Sequence, residues 1–278
     1  MRHECAILPD FDGTSIDTLP KILRGALISL SHAKSIPHLG STLSCIDIMI
    51  AIYWQAMQLD PCKPKDPRRD RFILSKGHAA NALYVCLGYR GFFSIDELHN
   101  IGEAGGPMAE HPGPGCMPGV EAATGSLGHG LPIGIGHALA SNIQGPEYRI
   151  FVLMSDGECN EGSVWEGAMM ASAHNLRNLT VIIDYNKWQA TGRSEDVLSL
   201  SPLADKWRAF GWDTVEVDGH DMETITSALL KKSDRPKAIV AHTLKGKGVS
   251  FMEDDNNWHY RIPTSDEVDY AFSELGLK

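Results

Sequence analysis

The fold is indicated first by the stretch Arg149-Ile150-Phe151-Val152-Leu153-Met154-Ser155-Asp156-Gly157-Glu158. Its continuous apolar run is typical of a strand buried on both faces, and the run ends in an acidic turn that contains a glycine. The stretch Leu179-Thr180-Val181-Ile182-Ile183-Asp184-Tyr185-Asn186 has the same form. Because neither run alternates apolar with polar residues, both predict strands of a parallel sheet.

Strands alternate with helices along the rest of the chain. Apolar runs predict strands over 71–74, 149–154, 179–184, 213–217 and 237–242. Helical periodicity predicts helices over 16–33, 44–57, a segment ending at Tyr89, 129–142, 161–174, 202–210 and 223–230. This order predicts an α/β fold, a parallel sheet with helices on both faces. We expect one domain over 14–278 after an N-terminal arm over 1–13.

Charge and composition argue against several classes of protein. The net charge of −10 argues against a nucleic-acid partner, because neutralising phosphates needs a basic face. No run approaches the ~20 apolar residues of a membrane span, and the first residues lack the apolar core of a signal peptide. We therefore expect no membrane association. The six cysteines form no C-x-x-C pair, so we expect reduced thiols in the cytoplasm.

Glycine is concentrated in one segment. Eleven of the 27 glycines lie between Gly102 and Gly136, together with five prolines. Such a segment does not form an ordinary helix or strand. Long ordered loops inside compact domains are usually functional, so the segment predicts a binding loop.

Polar residues follow two of the predicted strands. Ligands of open parallel sheets bind beyond the carboxyl ends of the strands, where Asp156 and Asn186 are expected. Asn186 follows Asp156 by 30 positions, so the two could lie on neighbouring strands. A carboxylate, an amide oxygen and a backbone carbonyl suit Mg²⁺, which keeps open positions for phosphates. Two turns without a ligand would give the same spacing, so both interpretations stay open on spacing alone.

Asp156-Gly157, followed by Asn186, resembles the thiamine-diphosphate-binding motif of thiamine-dependent enzymes, with Ser155 where that family usually has glycine. Further segments resemble transketolases in the family's order: 75–79, 124–130, 184–192, 245–253 and 258–259. The chain resembles the N-terminal, diphosphate-binding part of a transketolase, in the form in which the enzyme is split into two polypeptides. The resemblance implies the thiamine-diphosphate-binding fold. It also implies transfer of a two-carbon ketol unit from a ketose (phosphate) donor to an aldose (phosphate) acceptor.

The resemblance further implies a site for thiamine diphosphate and Mg²⁺. Ca²⁺ or Mn²⁺ is able to substitute for Mg²⁺ at such a site. The implied metal ligands are Asp156, Asn186 and the main-chain carbonyl of Trp188. The implied cofactor contacts are Gly125, Ser126 and Leu127 in the glycine-rich segment, Gly157 and Glu158 along the diphosphate, and His78, Lys245 and His259 around it. Glu161 stands where the family carries a glutamate that couples active sites across the dimer.

Four histidines are implied to be catalytic: His38 at the donor hydroxyls, His78 and His259 in the substrate channel, and His111 near the thiazolium. Imidazoles move protons near neutral pH, which suits a reaction that makes and breaks alkoxides. Two departures bear on the sugar. The loop before His38 holds one residue more than the family usually has, and Tyr260-Arg261 replaces the usual Gly-Lys after His259.

The resemblance also implies that half of the active site lies elsewhere. We expect a separate C-terminal subunit to supply the pyrimidine-binding domain and its glutamate in an α₂β₂ heterotetramer that acts on small sugars. Three alternatives remain. One is a specialised transketolase for a branched or sulfonated sugar, and another is a non-catalytic cofactor-binding or regulatory subunit. The third is a fragment of a deoxyxylulose-phosphate synthase or keto-acid dehydrogenase, against which residues 245–259 argue.

Overall fold

The structure, a computed structural model, describes residues 15–278, and the arm predicted over 1–13 lies outside the described residues. The main sheet contains the strands β1 (Arg71–Leu74), β2 (Ile150–Ser155), β3 (Leu179–Tyr185), β6 (Asp213–Asp218) and β7 (Lys237–His242), and β4 (Trp188–Gln189) pairs with β5 (Gly192–Arg193) in a small hairpin. The α-helices are α1 (Leu19–Lys34), α2 (Leu39–Ser44), α3 (Ile46–Ile50), α4 (Ala80–Arg90), α5 (Gly130–Gln144), α6 (Gly162–Ala173), α7 (Ser194–Leu198), α8 (Leu203–Ala209), α9 (Met222–Leu230) and α10 (Ser265–Leu275).

The main sheet is parallel throughout, in the order β1-β2-β3-β7-β6. Its central strands β2 and β3 are almost entirely buried, as their continuous apolar runs predict. Within residues 15–278, no helix combines the length and the apolar character that a bilayer crossing needs.

Two apolar cores lie on opposite faces of the sheet. On β2, Phe151 and Leu153 pack into one core with α1–α4, α9 and α10. Their neighbours Ile150, Val152 and Met154 pack into the other core with α5, α6 and α8. Successive side chains of a strand point to opposite faces, so a strand that is apolar at every position needs helices on both sides. The predicted arrangement of helices on both faces is confirmed.

The segment before β1 differs from the prediction. A single helix over 44–57 is expected, but α2 begins at Leu39, Cys45 interrupts the helix with φ −100° and ψ 5°, and residues Ala51–Ala56 form a π-helix. The early start follows from His38, whose left-handed backbone (φ 68°) turns the chain and whose carbonyl accepts a hydrogen bond from Thr42 Oγ1 at 2.8 Å. Periodicity detects the apolar face but not such local interruptions.

Candidate active site

One edge of the sheet collects the polar groups that follow the strands. Lys76 and His78 follow β1, Asp156 follows β2, Asn186 follows β3 and Lys245 follows β7. Ser155 lies opposite Asp184 in the pairing of β2 with β3. Lys187 N donates to Asp156 Oδ2 at 3.0 Å, so the carboxylate reaches the backbone directly after Asn186. The structure therefore brings the two implied metal ligands to one place.

Asp156 is a buried carboxylate surrounded by neutral donors. Oδ1 accepts from Gly157 N at 2.9 Å, and Oδ2 accepts from Lys187 N and from Ser194 Oγ at 2.7 Å. Burial raises the pKa of Asp156 to about 7 although the Ser194 hydrogen bond opposes the rise. The hydrogen bonds that Asp156 accepts thus do not fully offset the cost of burying its negative charge. A divalent cation at this position would supply the missing positive charge.

Asn186 forms a local turn at the end of β3. Its Oδ1 accepts from Trp188 N at 3.0 Å, which sets the course of the backbone that carries the Trp188 carbonyl. An amide oxygen has two lone pairs, so this hydrogen bond leaves one for a metal. No group of three or more His, Cys, Asp or Glu side chains suited to a metal occurs among residues 15–278. A cation here would therefore draw on amide, carbonyl and ligand oxygens, as Mg²⁺ commonly does.

A buried ion pair lies directly beside the two implied ligands. Lys76 Nζ pairs with Asp184 Oδ2, both side chains are fully buried, and Lys76 also donates to Ser41 O at 2.8 Å. Asp184 further accepts from Ser44 Oγ at 2.7 Å and from Thr243 Oγ1. Burial alone would raise the pKa of Asp184, but the charge of Lys76 and the hydrogen bonds from Lys76, Thr243 and Ser44 together lower it below its usual value. The pair ties β1, β3 and α2 together under the site.

Glu158 faces the protein interior. Its Oε1 accepts from Ser155 N at 2.9 Å, and its Oε2 accepts from Gly128 N at 2.9 Å and from Ser75 Oγ. The side chain is fully buried, and burial raises the pKa of its carboxyl group. The carboxylate thus anchors the glycine-rich segment to the ends of β1 and β2, and the implied contact with a diphosphate is left to main-chain atoms.

The glycine-rich segment passes between two residues of the site. Gly125 has φ 144°, and a Cβ there would lie 2.9 Å from His111 Cδ2. A Cβ at Gly77 would lie only 2.6 Å from Gly125 N. Ser126 and Leu127, the next residues, are exposed. A Cβ at Gly157, across the site, would lie 3.2 Å from Gln189 Cγ, a tight contact that the Gln189 side chain would have to relieve by a small shift.

The four implied catalytic histidines form one cluster centred on His38. The centroid of its ring lies 4.7 Å from that of His259, 5.6 Å from that of His78 and 6.4 Å from that of His111. Burial lowers the pKa of His78 well below its usual value and lowers the pKa of His259 to about 3. Burial also lowers the pKa of Lys245 to about 8. These shifts favour neutral imidazoles at His78 and His259.

Three residues of the site, Lys76, Asp184 and Glu110, were given no role on the basis of the sequence. Lys76 and Asp184 lie inside the motif segments, but their pairing joins positions 108 apart. Glu110, which directly precedes His111, contacts His38, 72 positions away. A polar residue at the end of a buried strand was the available signal for Asp184, and no local signal marks Glu110. Glu161 is exposed at the start of α6 beside Gly128.

Residues 21–278 match the family described as "Transketolase, thiamine diphosphate binding domain". Over 255 residues the chain is 41% identical to an apulose-4-phosphate transketolase subunit of Phocaeicola vulgatus, in a match that covers 91% of this chain and 90% of that protein. The chain belongs to the transketolase family. The membership recognised from motifs is confirmed, and so is the thiamine-diphosphate-binding domain.

A second relative and a solved structure extend this finding. The 6-deoxy-6-sulfo-D-fructose transketolase subunit SqwG of a Clostridium species is 38% identical over 241 residues, covering 86% of this chain and 88% of that protein. The crystal structure of transketolase from Campylobacter jejuni matches with a TM-score of 0.84 and 28% identity, covering 94% of this chain and 43% of that one. This transketolase-family chain therefore matches most of the length of the two relatives named as subunits, but less than half of the length of the Campylobacter jejuni transketolase. The predicted fold and reaction class are confirmed, and the matched relatives are named as transketolase subunits.

Proposed function

We propose that this chain is the diphosphate-binding subunit of a two-polypeptide transketolase that moves a two-carbon ketol unit from a ketose donor to an aldose acceptor. The proposal is carried by the joint placement of Asp156, Asn186 and the histidine cluster at one edge of the sheet. Two relatives that are named as transketolase subunits and match over most of their length support it.

In this proposal Asp156, Asn186 and the Trp188 carbonyl hold Mg²⁺, or Ca²⁺ or Mn²⁺ in its place. The undercompensated Asp156 carboxylate supports this assignment, because a cation stabilises its ionised form. Gly157, Gly125 and the backbone of Glu158 provide close approach for the diphosphate, and the exposed Ser126 and Leu127 contact the cofactor. When bound, thiamine diphosphate supplies the electron sink for carbon–carbon bond cleavage.

The chain's own contribution to the reaction is proton transfer and orientation. His38, His78, His111 and His259 hold or move protons at sugar hydroxyl oxygens, and Lys245 and His259 line the approach to the cofactor. Neutral imidazoles offer one donor and one acceptor each, which suits hydroxyl groups that change between alcohol and alkoxide. Glu161, exposed at the start of α6, is proposed to face the second active site of the assembly.

The partner is proposed to be a separate C-terminal polypeptide that supplies the pyrimidine-binding domain and its glutamate, in an α₂β₂ heterotetramer. Relatives whose names describe them as single subunits of a transketolase support the need for a second chain. We place the enzyme in the cytoplasm, and the free state of every described cysteine supports that placement.

A specialised sugar is the second candidate, and it is favoured by the residues around His38. Tyr260 is 64% exposed, and its ring centroid lies 4.7 Å from that of His259 and 5.7 Å from that of His38. The family usually has glycine at the position of Tyr260. The large tyrosine side chain therefore narrows the approach to His38 and His259, which we call the channel mouth. The two subunit relatives are named for apulose 4-phosphate and for 6-deoxy-6-sulfo-D-fructose, and these names support the same candidate.

The test is co-purification with the partner subunit, followed by a screen of donor and acceptor sugars with product analysis. Thiamine diphosphate and Mg²⁺ are present, and EDTA-treated samples serve as controls. Two-carbon transfer by the complex supports the proposal, and full transfer by this chain alone contradicts the need for a partner. A preference for xylulose 5-phosphate over all modified sugars would remove the second candidate.

A further inference from the structure

A carboxylate without an assigned role contacts the central histidine of the cluster. Glu110 Oε1 lies 3.1 Å from His38 Nε2. The Glu110 side chain is half exposed, whereas that of His38 is only 11% exposed. Since Glu110 directly precedes His111, one short segment brings both a carboxylate and an imidazole to His38.

This contact determines which nitrogen of His38 carries the proton. A carboxylate accepts hydrogen bonds and does not donate them, so Nε2 of His38 is the donor. In a neutral imidazole the other nitrogen, Nδ1, is then a bare acceptor. Among the described residues, Nδ1 of His38 is buried and has no hydrogen-bond partner. An unsatisfied buried acceptor is unusual in folded proteins and points to a donor that a ligand would bring.

The surroundings of His38 favour the neutral ring. Burial lowers the pKa of His38, Glu110 opposes that effect, and His111 and Lys245 add to it. The rings of His78, His259 and Tyr260 complete the surroundings, with centroids 5.6, 4.7 and 5.7 Å from that of His38. Its main chain is also held, because His38 N donates to His259 O at 2.7 Å.

We propose that Glu110 is a positioning residue that holds His38 in the Nε2–H tautomer, so that Nδ1 accepts a hydrogen bond from a hydroxyl group of the sugar substrate. The negative charge of Glu110 beside Nε2–H also makes Nδ1 a stronger acceptor. The same effect is known for metal-bound histidines whose second ring nitrogen donates to a carboxylate. The sugar part of this inference rests on the proposed function, whereas the tautomer does not.

The first test is spectroscopic and independent of transfer activity. Long-range ¹H–¹⁵N spectra of the full chain with Mg²⁺ and thiamine diphosphate report the tautomer of each histidine, and His38→Asn identifies the His38 signals. We expect Nε2–H in the wild type and loss of that preference in Glu110→Ala. The matched control is Glu103→Gln, a half-exposed carboxylate of the same segment that pairs with Lys34, and we expect it to change nothing. An Nδ1–H tautomer in the wild type, or an unchanged one in Glu110→Ala, overturns the proposal.

The second test uses the complex with its partner subunit. Glu110→Ala is expected to raise the donor KM by about 10- to 100-fold with a smaller effect on kcat, since a charge-assisted hydrogen bond is lost. Glu110→Gln should recover part of the loss, because an amide oxygen accepts the same hydrogen bond. Equal kinetics in Glu110→Ala and the wild type contradict the proposal. A wild-type complex without ketol transfer would instead refute the proposed function, and it would leave the tautomer result standing.

Discussion

Lys245 Nζ lies 3.2 Å from His259 Nδ1 in the candidate active site. An ammonium group donates and does not accept, so Nδ1 of His259 is an acceptor and its proton lies on Nε2. Lys245 is held in this place by Asn256 Oδ1, at 2.6 Å. Burial lowers the pKa of His259 to about 3, and Lys245 contributes to the same shift. His259 is therefore a neutral imidazole near neutral pH, and its Nε2–H has no hydrogen-bond acceptor among residues 15–278.

This arrangement predicts a pH-dependent stability. The pKa of His259 is lower in the folded chain than the value of about 6.5 expected in the unfolded chain, so the unfolded state binds the proton first. The contribution of neutral His259 to the free energy of unfolding is complete above about pH 6.5. It is lost as the pH falls toward about 3, and the free energy of unfolding then falls by at most about 1.4 kcal/mol per pH unit. We expect urea unfolding of His259→Gln to show a shallower pH dependence than the wild type. The exposed His174→Gln is the control, and equal slopes for His259→Gln and the wild type would show the prediction to be wrong.

Asp156→Asn tests the metal site. The variant keeps the shape of the side chain but removes the charge that a divalent cation requires. We expect the affinity for thiamine diphosphate in the presence of Mg²⁺ to fall by at least about 100-fold, as measured by isothermal titration calorimetry. Asp205→Asn, which alters an exposed pair with Arg208, should bind like the wild type. Unchanged activity of the complex with Asp156→Ala would favour a non-catalytic subunit.

Lys76→Met tests the buried ion pair below the site. The methionine fills a similar volume but leaves the Asp184 charge buried without its partner. Breaking such a pair costs about 3–5 kcal/mol, so we expect the free energy of unfolding in urea to fall by that amount. The double variant with Asp184→Asn should recover part of the loss, because the unpaired charge is gone. Arg208→Met, in the exposed pair, should cost less than about 1 kcal/mol, and a similarly small cost for Lys76→Met would refute the prediction.

Gly125→Ala tests the close packing of the glycine-rich segment. Both Gly125 (φ 144°) and Gly105 (φ 75°) have a positive φ that an alanine adopts only at a cost of about 1–3 kcal/mol. Only Gly125 has a neighbour, the His111 ring, in the place of the new Cβ. We expect Gly125→Ala to be less stable than Gly105→Ala by about 1–3 kcal/mol and to shift the His111 resonances. Equal stabilities with unshifted His111 signals would contradict this packing.

Tyr260→Gly tests the channel mouth. Removing the ring that packs against His259 and His38 should widen the approach to the cluster. We expect the preference among acceptor sugars, measured as the ratio of kcat/KM values, to change by about tenfold while thiamine diphosphate binding stays the same. Tyr270→Gly, at an exposed tyrosine of α10, is the control. An unaltered preference would exclude Tyr260 as a determinant of the sugar.

Much of the fold and site follows from local patterns. The apolar runs of β2 and β3 could be predicted because a strand buried on both faces needs apolar residues at every position. Asp156 and Asn186 could be placed at one edge because parallel strands end there together. The break at Cys45 and the hairpin β4–β5 could not be predicted, because they depend on individual backbone angles and on very short pairings.

The amino-acid order was sufficient for the sheet class and the family, because both are written in short contiguous segments. The assignment of Asp156 and Asn186 to the cofactor motif stays a prediction. Only folding revealed that Glu158 turns inward to anchor Gly128, that Asp184 pairs with Lys76, and that Glu110 contacts His38. These contacts join distant parts of the chain, and their geometry depends on how strands and loops pack. Proton positions on His38 and His259 follow from such contacts, so they are properties of the tertiary structure and not of any local sequence.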